Sequence, residues 1–305
     1  MKSNQPSFAA RALYAIAAAT VLAPAGWTFA QDRQAQPARA TPSRKEVYKK
    51  VGDIELKMDI FEPASKGARR PAVVFFFGGG WRNGSTKQFY EHSRQLAKRG
   101  VVCFCAEYRV ESRHKATVPD CIADAKSAVR WIRANAERLR VDPRRLAAGG
   151  GSAGGHLAAA VALVPEFSAS DDPPKVSCVP NALLLFNPAL NLERSAFGDI
   201  ADQRYQDIRR RVAVDPSRVS PSQHVQRGAP PTLIMHGKAD TTVPYGQAEE
   251  FAAKMKKVGA RCEVSGYEGQ PHGFFNFGRS KNRYFTATMK DVESFLTSLD
   301  YLPAK

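Results

Sequence analysis

Apolar and polar positions change period several times along the chain, and each change marks an element. Between Tyr48 and Ile60 they alternate, with Ile54, Leu56, Met58 and Ile60 on one face and a break at Gly52-Asp53. A period of two interrupted by Gly-Asp predicts a β-hairpin. The next run, Ala72 to Phe77, is apolar throughout, as a strand covered on both faces must be. Helical spacing follows around Phe89, His92 and Leu96, then an apolar strand pattern over Val101 to Ala106. From Val118 through Cys121, Ile122, Ala125, Val129, Ile132 and Ala136 to Leu139 the spacing is three-and-four. That predicts a long amphipathic helix with Pro119 in its first turn.

The same rhythm continues downstream. Strands are predicted over Ala182 to Phe186, Thr232 to His236 and Cys262 to Tyr267. Helices are predicted around Ala248 to Val258 and Phe285 to Leu299. Strands alternating with helices imply an α/β fold, a doubly wound and mostly parallel sheet with helices on both faces. The opening hairpin should add antiparallel strands at one edge. Asn191 to Val219 departs from the rhythm: it is polar, longer than a simple crossover, and carries Arg209-Arg210-Arg211. It predicts a small helical cap above the strand ends, with the arginine triplet on a solvated face.

The N-terminus changes the picture of where this fold works. Lys2 and Arg11 precede or interrupt a short apolar stretch ending near Ala23, and Thr28-Phe29-Ala30 offers a small residue for cleavage. This reads as a signal peptide over residues 1–30, which implies a secreted or periplasmic protein with no stable membrane insertion after cleavage. Residues 31–46, rich in Gln, Ala, Pro and Arg, read as a disordered linker, leaving 47–305 as the catalytic domain. The whole chain carries a formal charge of +16. For an exported protein that implies solvated basic faces, with a polyanionic cell-wall or polysaccharide surface as the alternative; no nucleic-acid partner is expected. Five cysteines are present. Cys103, Cys105 and Cys121 read as small core residues, and Cys178 and Cys262 could pair. No Cys-x-x-Cys spacing suggests a metal.

Candidate chemistry enters at Gly150-Gly151-Ser152-Ala153-Gly154, which fits G-x-S-x-G between a strand and an alanine-rich helical stretch. That context pushes a serine out on a sharp turn over a helix N-terminus, where free N–H groups favour negative charge. A serine hydroxyl needs a base, and the base needs an orienting carboxylate. Of six histidines, His272 lies in a loop after the strand ending at Tyr267, at the sheet edge where Ser152 emerges. His236 reads as packing at its strand end. Asp240 follows the strand ending at His236 by a short turn and is the candidate acid. Ala153 offers one N–H for a developing oxyanion, and Gly79 and Gly80, after the strand ending at Phe77, offer others.

Taken together, Gly78-Gly79-Gly80-Trp81, Glu107-Tyr108-Arg109, Asp142-Pro143, Gly151-Ser152-Ala153-Gly154-Gly155-His156, His236-Gly237-Lys238-Ala239-Asp240 and His272-Gly273-Phe274 resemble the α/β-hydrolase superfamily. The resemblance is to hormone-sensitive-lipase-like esterases and to feruloyl and acetyl-xylan esterases, and it covers about Tyr48 to Leu299. It implies Ser152 as nucleophile, Asp240 as acid, His272 as base and an oxyanion hole of Gly79, Gly80 and Ala153. It implies no metal or organic cofactor, and an ester on a small molecule or a polysaccharide as substrate. A prolyl-oligopeptidase-type peptidase, an amidase, and a binding protein on a hydrolase scaffold are the alternatives. Where such esterases usually carry His before the three glycines, this chain has Phe77, so the loop is expected to be held by packing.

Overall fold

The computed structural model describes residues 40–64, 69–198 and 201–304. The expected signal peptide lies outside them, as does most of the expected linker. Eight strands form one sheet: β1 (Arg44–Val51), β2 (Ile54–Phe61), β3 (Arg70–Phe76), β4 (Val102–Ala106), β5 (Val141–Gly151), β6 (Ala182–Phe186), β7 (Thr232–Gly237) and β8 (Cys262–Tyr267). Their order is β1-β2-β4-β3-β5-β6-β7-β8. The hairpin strands β1 and β2 pair antiparallel, β2 meets β4 antiparallel, and every later pairing is parallel. This is the expected doubly wound arrangement with an antiparallel edge.

The helices are α1 (Tyr90–Lys98), α2 (Glu111–His114), α3 (Val118–Ala134), α4 (Ala153–Leu163), α5 (Asp202–Val212), α6 (Pro216–Val219), α7 (Gly246–Lys257) and α8 (Arg283–Thr297). Alternation along β3 explains why both sheet faces need cover. Ala72, Val74 and Phe76 join the core beneath α3, α4 and α7, while Val73 and Phe75 join the core beneath α1 and α8. In β6, Leu183 and Leu185 go to the first core, and Ala182, Leu184 and Phe186 to the second. Side chains on a strand alternate faces, so an all-apolar strand feeds two cores at once.

Two boundaries differ from expectation. The first strand starts at Arg44, inside the stretch read as linker, and Ala40 is already buried with its N–H donated to Glu91 Oε1 at 2.8 Å. Arg44, Lys45 and Glu46 carry no apolar signal because the edge strand keeps its charged face in solvent. Helix α3 ends at Ala134, short of Leu139. Ala136 and Leu139 stay buried in the turn that follows, so their apolar spacing outlives the helix. At its other end Thr117 and Asp120 form a capping box, with Pro119 in the first turn as expected. All five cysteines are free thiols, so Cys178 and Cys262 do not pair.

Candidate active site

Ser152 stands between β5 and α4 with φ 55° and ψ −118°, a conformation an L-residue adopts only when its surroundings force it. The forcing is visible at two glycines. A Cβ at Gly150 would lie 2.4 Å from the Gly154 carbonyl group, and one at Gly154 would lie 2.0 Å from the Phe76 oxygen. Only glycine lets the turn close so tightly onto β3. The Ser152 N–H is donated to Phe186 O at 2.9 Å, which ties the turn to β6.

The loop after β8 comes back over this turn. A Cβ at Gly151 would meet the Phe275 ring at 2.6 Å, so the segment carrying His272 packs against the residue before Ser152. Gly273 N–H donates to Asn187 Oδ1 at 3.1 Å and fixes the same segment to the end of β6. His272 Nδ1 lies 2.7 Å from Asp240 Oδ2, and the Asp240 side chain is wholly buried. The other oxygen, Oδ1, accepts from Thr242 N–H at 2.8 Å and Val243 N–H at 3.0 Å. Burial alone would raise the Asp240 carboxyl. Hydrogen bonds from His236 and His272, with the Val243 N–H, outweigh it and hold the acid well below the usual carboxylate range. An ionised Asp240 requires His272 to carry its proton on Nδ1, which leaves Nε2 free to accept one.

Gly79, Gly80, Ser152 and Ala153 line one cavity of about 270 Å³. Among the described residues, the N–H groups of Gly79, Gly80 and Ala153 are not taken up by turn or loop hydrogen bonds, whereas Gly78 N–H is donated to Gln88 Oε1 at 2.6 Å. The three expected donors are therefore among the N–H groups that such bonds leave open. Packing is half of what holds this loop. Phe77 stacks on Tyr108 with centroids 4.2 Å apart, and Tyr108 donates its hydroxyl to Phe77 O at 2.7 Å. Hydrogen bonds supply the rest, which corrects the expectation of packing alone. Gln88 Nε2 also donates to Asn276 Oδ1 at 2.9 Å, and Asn276 Nδ2 donates to Gly273 O at 2.8 Å. One side-chain bridge thus joins the glycine loop to the His272 loop.

The cap closes the cavity from above. Phe197, Arg204, Asp207, Ile208 and Arg211 contribute to its lining. Its first end is anchored by Gln247 Oε1, which accepts from Leu190 and Asn191 N–H at 3.0 and 3.1 Å. Its second end is anchored by His156 in α4. There Nε2 lies 2.7 Å from Val219 O, and Nδ1 accepts from Trp81 Nε1 at 3.2 Å. Those partners require the neutral tautomer with hydrogen on Nε2, and burial lowers the His156 pKa to about 4.

Comparison with known proteins fits this architecture. The BD-FAE family matches residues 58–178, and the prolyl oligopeptidase family matches residues 194–298. Esterase LipC of Mycobacterium tuberculosis is 34% identical over 219 residues, covering 67% of this chain and 53% of that protein. An acetylxylan esterase of Xylanibacter ruminicola is 23% identical over 273 residues, covering 87% of this chain and 53% of that protein. The chain thus spans about half the length of the curated relatives it matches. Esterase 2 of Thermogutta terrifontis, solved phosphonylated by sarin, superimposes with a TM-score of 0.83 at 45% identity, over 86% of this chain and 96% of that one.

The chain belongs to the α/β-hydrolase superfamily.

In this α/β-hydrolase the structure brings the residues singled out from the sequence into two groups: Asp240 and His272 are hydrogen-bonded, and Ser152 shares a cavity wall with Gly79, Gly80 and Ala153, a wall that neither Asp240 nor His272 lines. Three further residues belong to the site. His236, read as a packing residue, is wholly buried, donates to Val243 O at 2.9 Å and lies 3.3 Å from Asp240 Oδ2. Its place four residues before Asp240, across one short turn, was the available signal. Gln88 had none. Arg211 belongs to a triplet read as solvated, yet it lines the cavity and its Nε is buried. Arg204, Asp207, Ile208 and Arg211 share one helical face at three-and-four spacing, which could have separated Arg211 from its neighbours.

Proposed function

We propose that this α/β-hydrolase is a carboxylic-ester hydrolase that works through an acyl-enzyme on Ser152. The observation that carries the reading is the strained Ser152 elbow, open to a cavity and overlain by the loop that presents a His272–Asp240 pair. Ser152 Oγ attacks the ester carbonyl carbon while His272 Nε2 takes its proton. The carbonyl electron pair moves onto oxygen, where the Gly79, Gly80 and Ala153 N–H groups receive it. Collapse breaks the bond to the alcohol, which leaves with the proton from His272. Water, deprotonated by His272, then releases the acid and restores Ser152.

The cavity of about 270 Å³ supports short acyl groups. Solved structures of Thermogutta terrifontis esterase 2 with propionate and with butyrate bound point the same way. Acetyl or feruloyl groups on polysaccharide are the substrates we propose, on the strength of the BD-FAE match and the acetylxylan esterase relative. Export, with cleavage after Ala30, is part of the same reading.

The test is hydrolysis of p-nitrophenyl acetate, butyrate and octanoate by the protein starting at residue 31, beside Ser152→Ala. Turnover falling steeply with chain length, and abolished in Ser152→Ala together with fluorophosphonate labelling, is expected. Labelling that survives Ser152→Ala would remove the serine from the mechanism. Acetate release from acetylated xylan checks the polysaccharide substrate, and activity confined to long-chain esters would overturn it. The prolyl oligopeptidase match favours amide cleavage as a second reading. Release of an aryl amine from a prolyl anilide decides between them.

A further inference from the structure

Arg211 makes no ion pair among the described residues, although Asp207 and Glu111 lie near enough for their charges to act on it. It lines the cavity above Ser152, and a Cβ built at Gly80 would lie 4.0 Å from its guanidinium. Its Nε is buried without a hydrogen-bond partner, and among the described residues no carboxylate pairs with it. The nearest candidate on its own helix, Asp207, is paired with Arg210 at 3.2 Å. Two more cations, Arg82 and Arg204, line the same cavity; Arg82 reaches Glu111 only at 3.7 Å. The cavity therefore presents three guanidinium groups against one carboxylate, and that carboxylate is already engaged. The neighbouring arginines behave differently. Arg210 is exposed, and Arg209 turns back to donate to Val214 O at 2.6 Å.

Arg211 is half-buried, and a buried donor left open, as its Nε is, costs free energy unless something fills it. Guanidinium donors match a carboxylate in planar, two-pronged geometry. We propose that the cap selects esters bearing a carboxylate, with Arg211 as the residue that binds it. The inference rests on the ester-hydrolase reading of the same site, and it narrows that reading from short esters in general to short anionic ones. The carboxylate can stand on the acyl side, as in a half-ester of a dicarboxylic acid. It can also stand on the alcohol side, as in an acylated uronic acid or hydroxybenzoate.

Two matched pairs test both arms. For the acyl side, p-nitrophenyl hemisuccinate is compared with p-nitrophenyl butyrate. For the alcohol side, 4-acetoxybenzoate is compared with its methyl ester. The readout is the ratio of kcat/KM, anionic over neutral, in the unaltered protein, Arg211→Gln and Arg210→Gln. A ratio above one in at least one pair, lowered about tenfold or more by Arg211→Gln and not by Arg210→Gln, is expected for loss of a charge-assisted contact. The pair that responds identifies the side on which the charge sits. Ratios below one in both pairs, or ratios that Arg211→Gln does not change, overturn the proposal. A second measurement is independent of turnover: calorimetric binding of each ester to Ser152→Ala with and without Arg211→Gln. If the unaltered protein cleaves no ester, the esterase reading fails. The binding comparison still decides on Arg211, since equal affinity for anionic and neutral members removes it.

Discussion

At Asp240 four donors converge on two oxygens, and that explains both its ionisation and its sensitivity. Thr242 and Val243 N–H groups hold Oδ1, while His272 Nδ1 and His236 Nε2 face Oδ2. A carboxyl held below its ordinary pKa contributes stability that is present above the unfolded value, roughly 3.9, and is lost as pH falls towards the folded one. Asp240→Asn keeps the shape but presents an amide to His272, inviting the wrong tautomer. Its kcat should fall by roughly 10⁴ with a much smaller change in KM, measured on p-nitrophenyl butyrate. His92 is the opposite case. It is buried among Phe75, Phe89, Phe186, Phe275 and Phe285 with neither ring nitrogen hydrogen-bonded, and burial lowers its pKa to about 3. Between roughly pH 6.5 and that value the unfolded chain binds a proton that the folded one refuses, so stability drops as pH falls through the window. His92→Phe should stabilise the protein by about 1–3 kcal/mol at pH 7 and lose less than the unaltered protein on going to pH 5, as read from urea melts. Among site residues, Ser152, Asp240 and His272 were legible because each follows a recognisable strand in a glycine-marked turn. Gln88 was not, because its partners Gly78 and Asn276 lie ten and 188 residues away and no local spacing encodes them, while Arg211 left only a helical-face spacing that does not say which face turns inward.

The elements that carry the site were legible wherever burial wrote a period into the chain. β3, β4, β6 and β7 are apolar because both faces are covered, and β2 alternates because it lies near the edge. Legibility failed where burial and element part company. The start of β1 is charged yet extended, and Leu139 is buried yet past the end of α3. Cap helix α5 was expected as an element, but which of its faces turns inward depends on the body beneath it. The β5–α4 turn has the least tolerance. Gly154→Ala would drive a methyl group into the Phe76 oxygen, 2.0 Å from where its carbon must sit. Relief requires α4 to move off β3, so the substitution should cost about 3 kcal/mol or prevent soluble expression, judged by thermal melts.

Across the whole molecule the machinery is divided between two stretches of chain. Gly79, Gly80, Ser152 and Ala153 fall within residues 58–178, and Arg211, Asp240 and His272 within 194–298. In the sheet β6, which lies in neither stretch, joins them by pairing with β5 on one side and β7 on the other, and Arg99 to Glu293 at 2.6 Å and Gln88 to Asn276 at 2.9 Å join them through side chains. Neither Gln88 nor Asn276 lines the cavity. Two of the seams between cap and body are Gln247 against Leu190 and Asn191, and His156 against Val219; a third is the Arg218–Glu166 ion pair. The first two are made by main-chain groups of the cap, which any sequence supplies. They are therefore natural crossover points for recombination. A relative's cap spliced between Asn191 and Val219 would inherit its anchors from the recipient, so appetite could be bred separately from the engine that serves it.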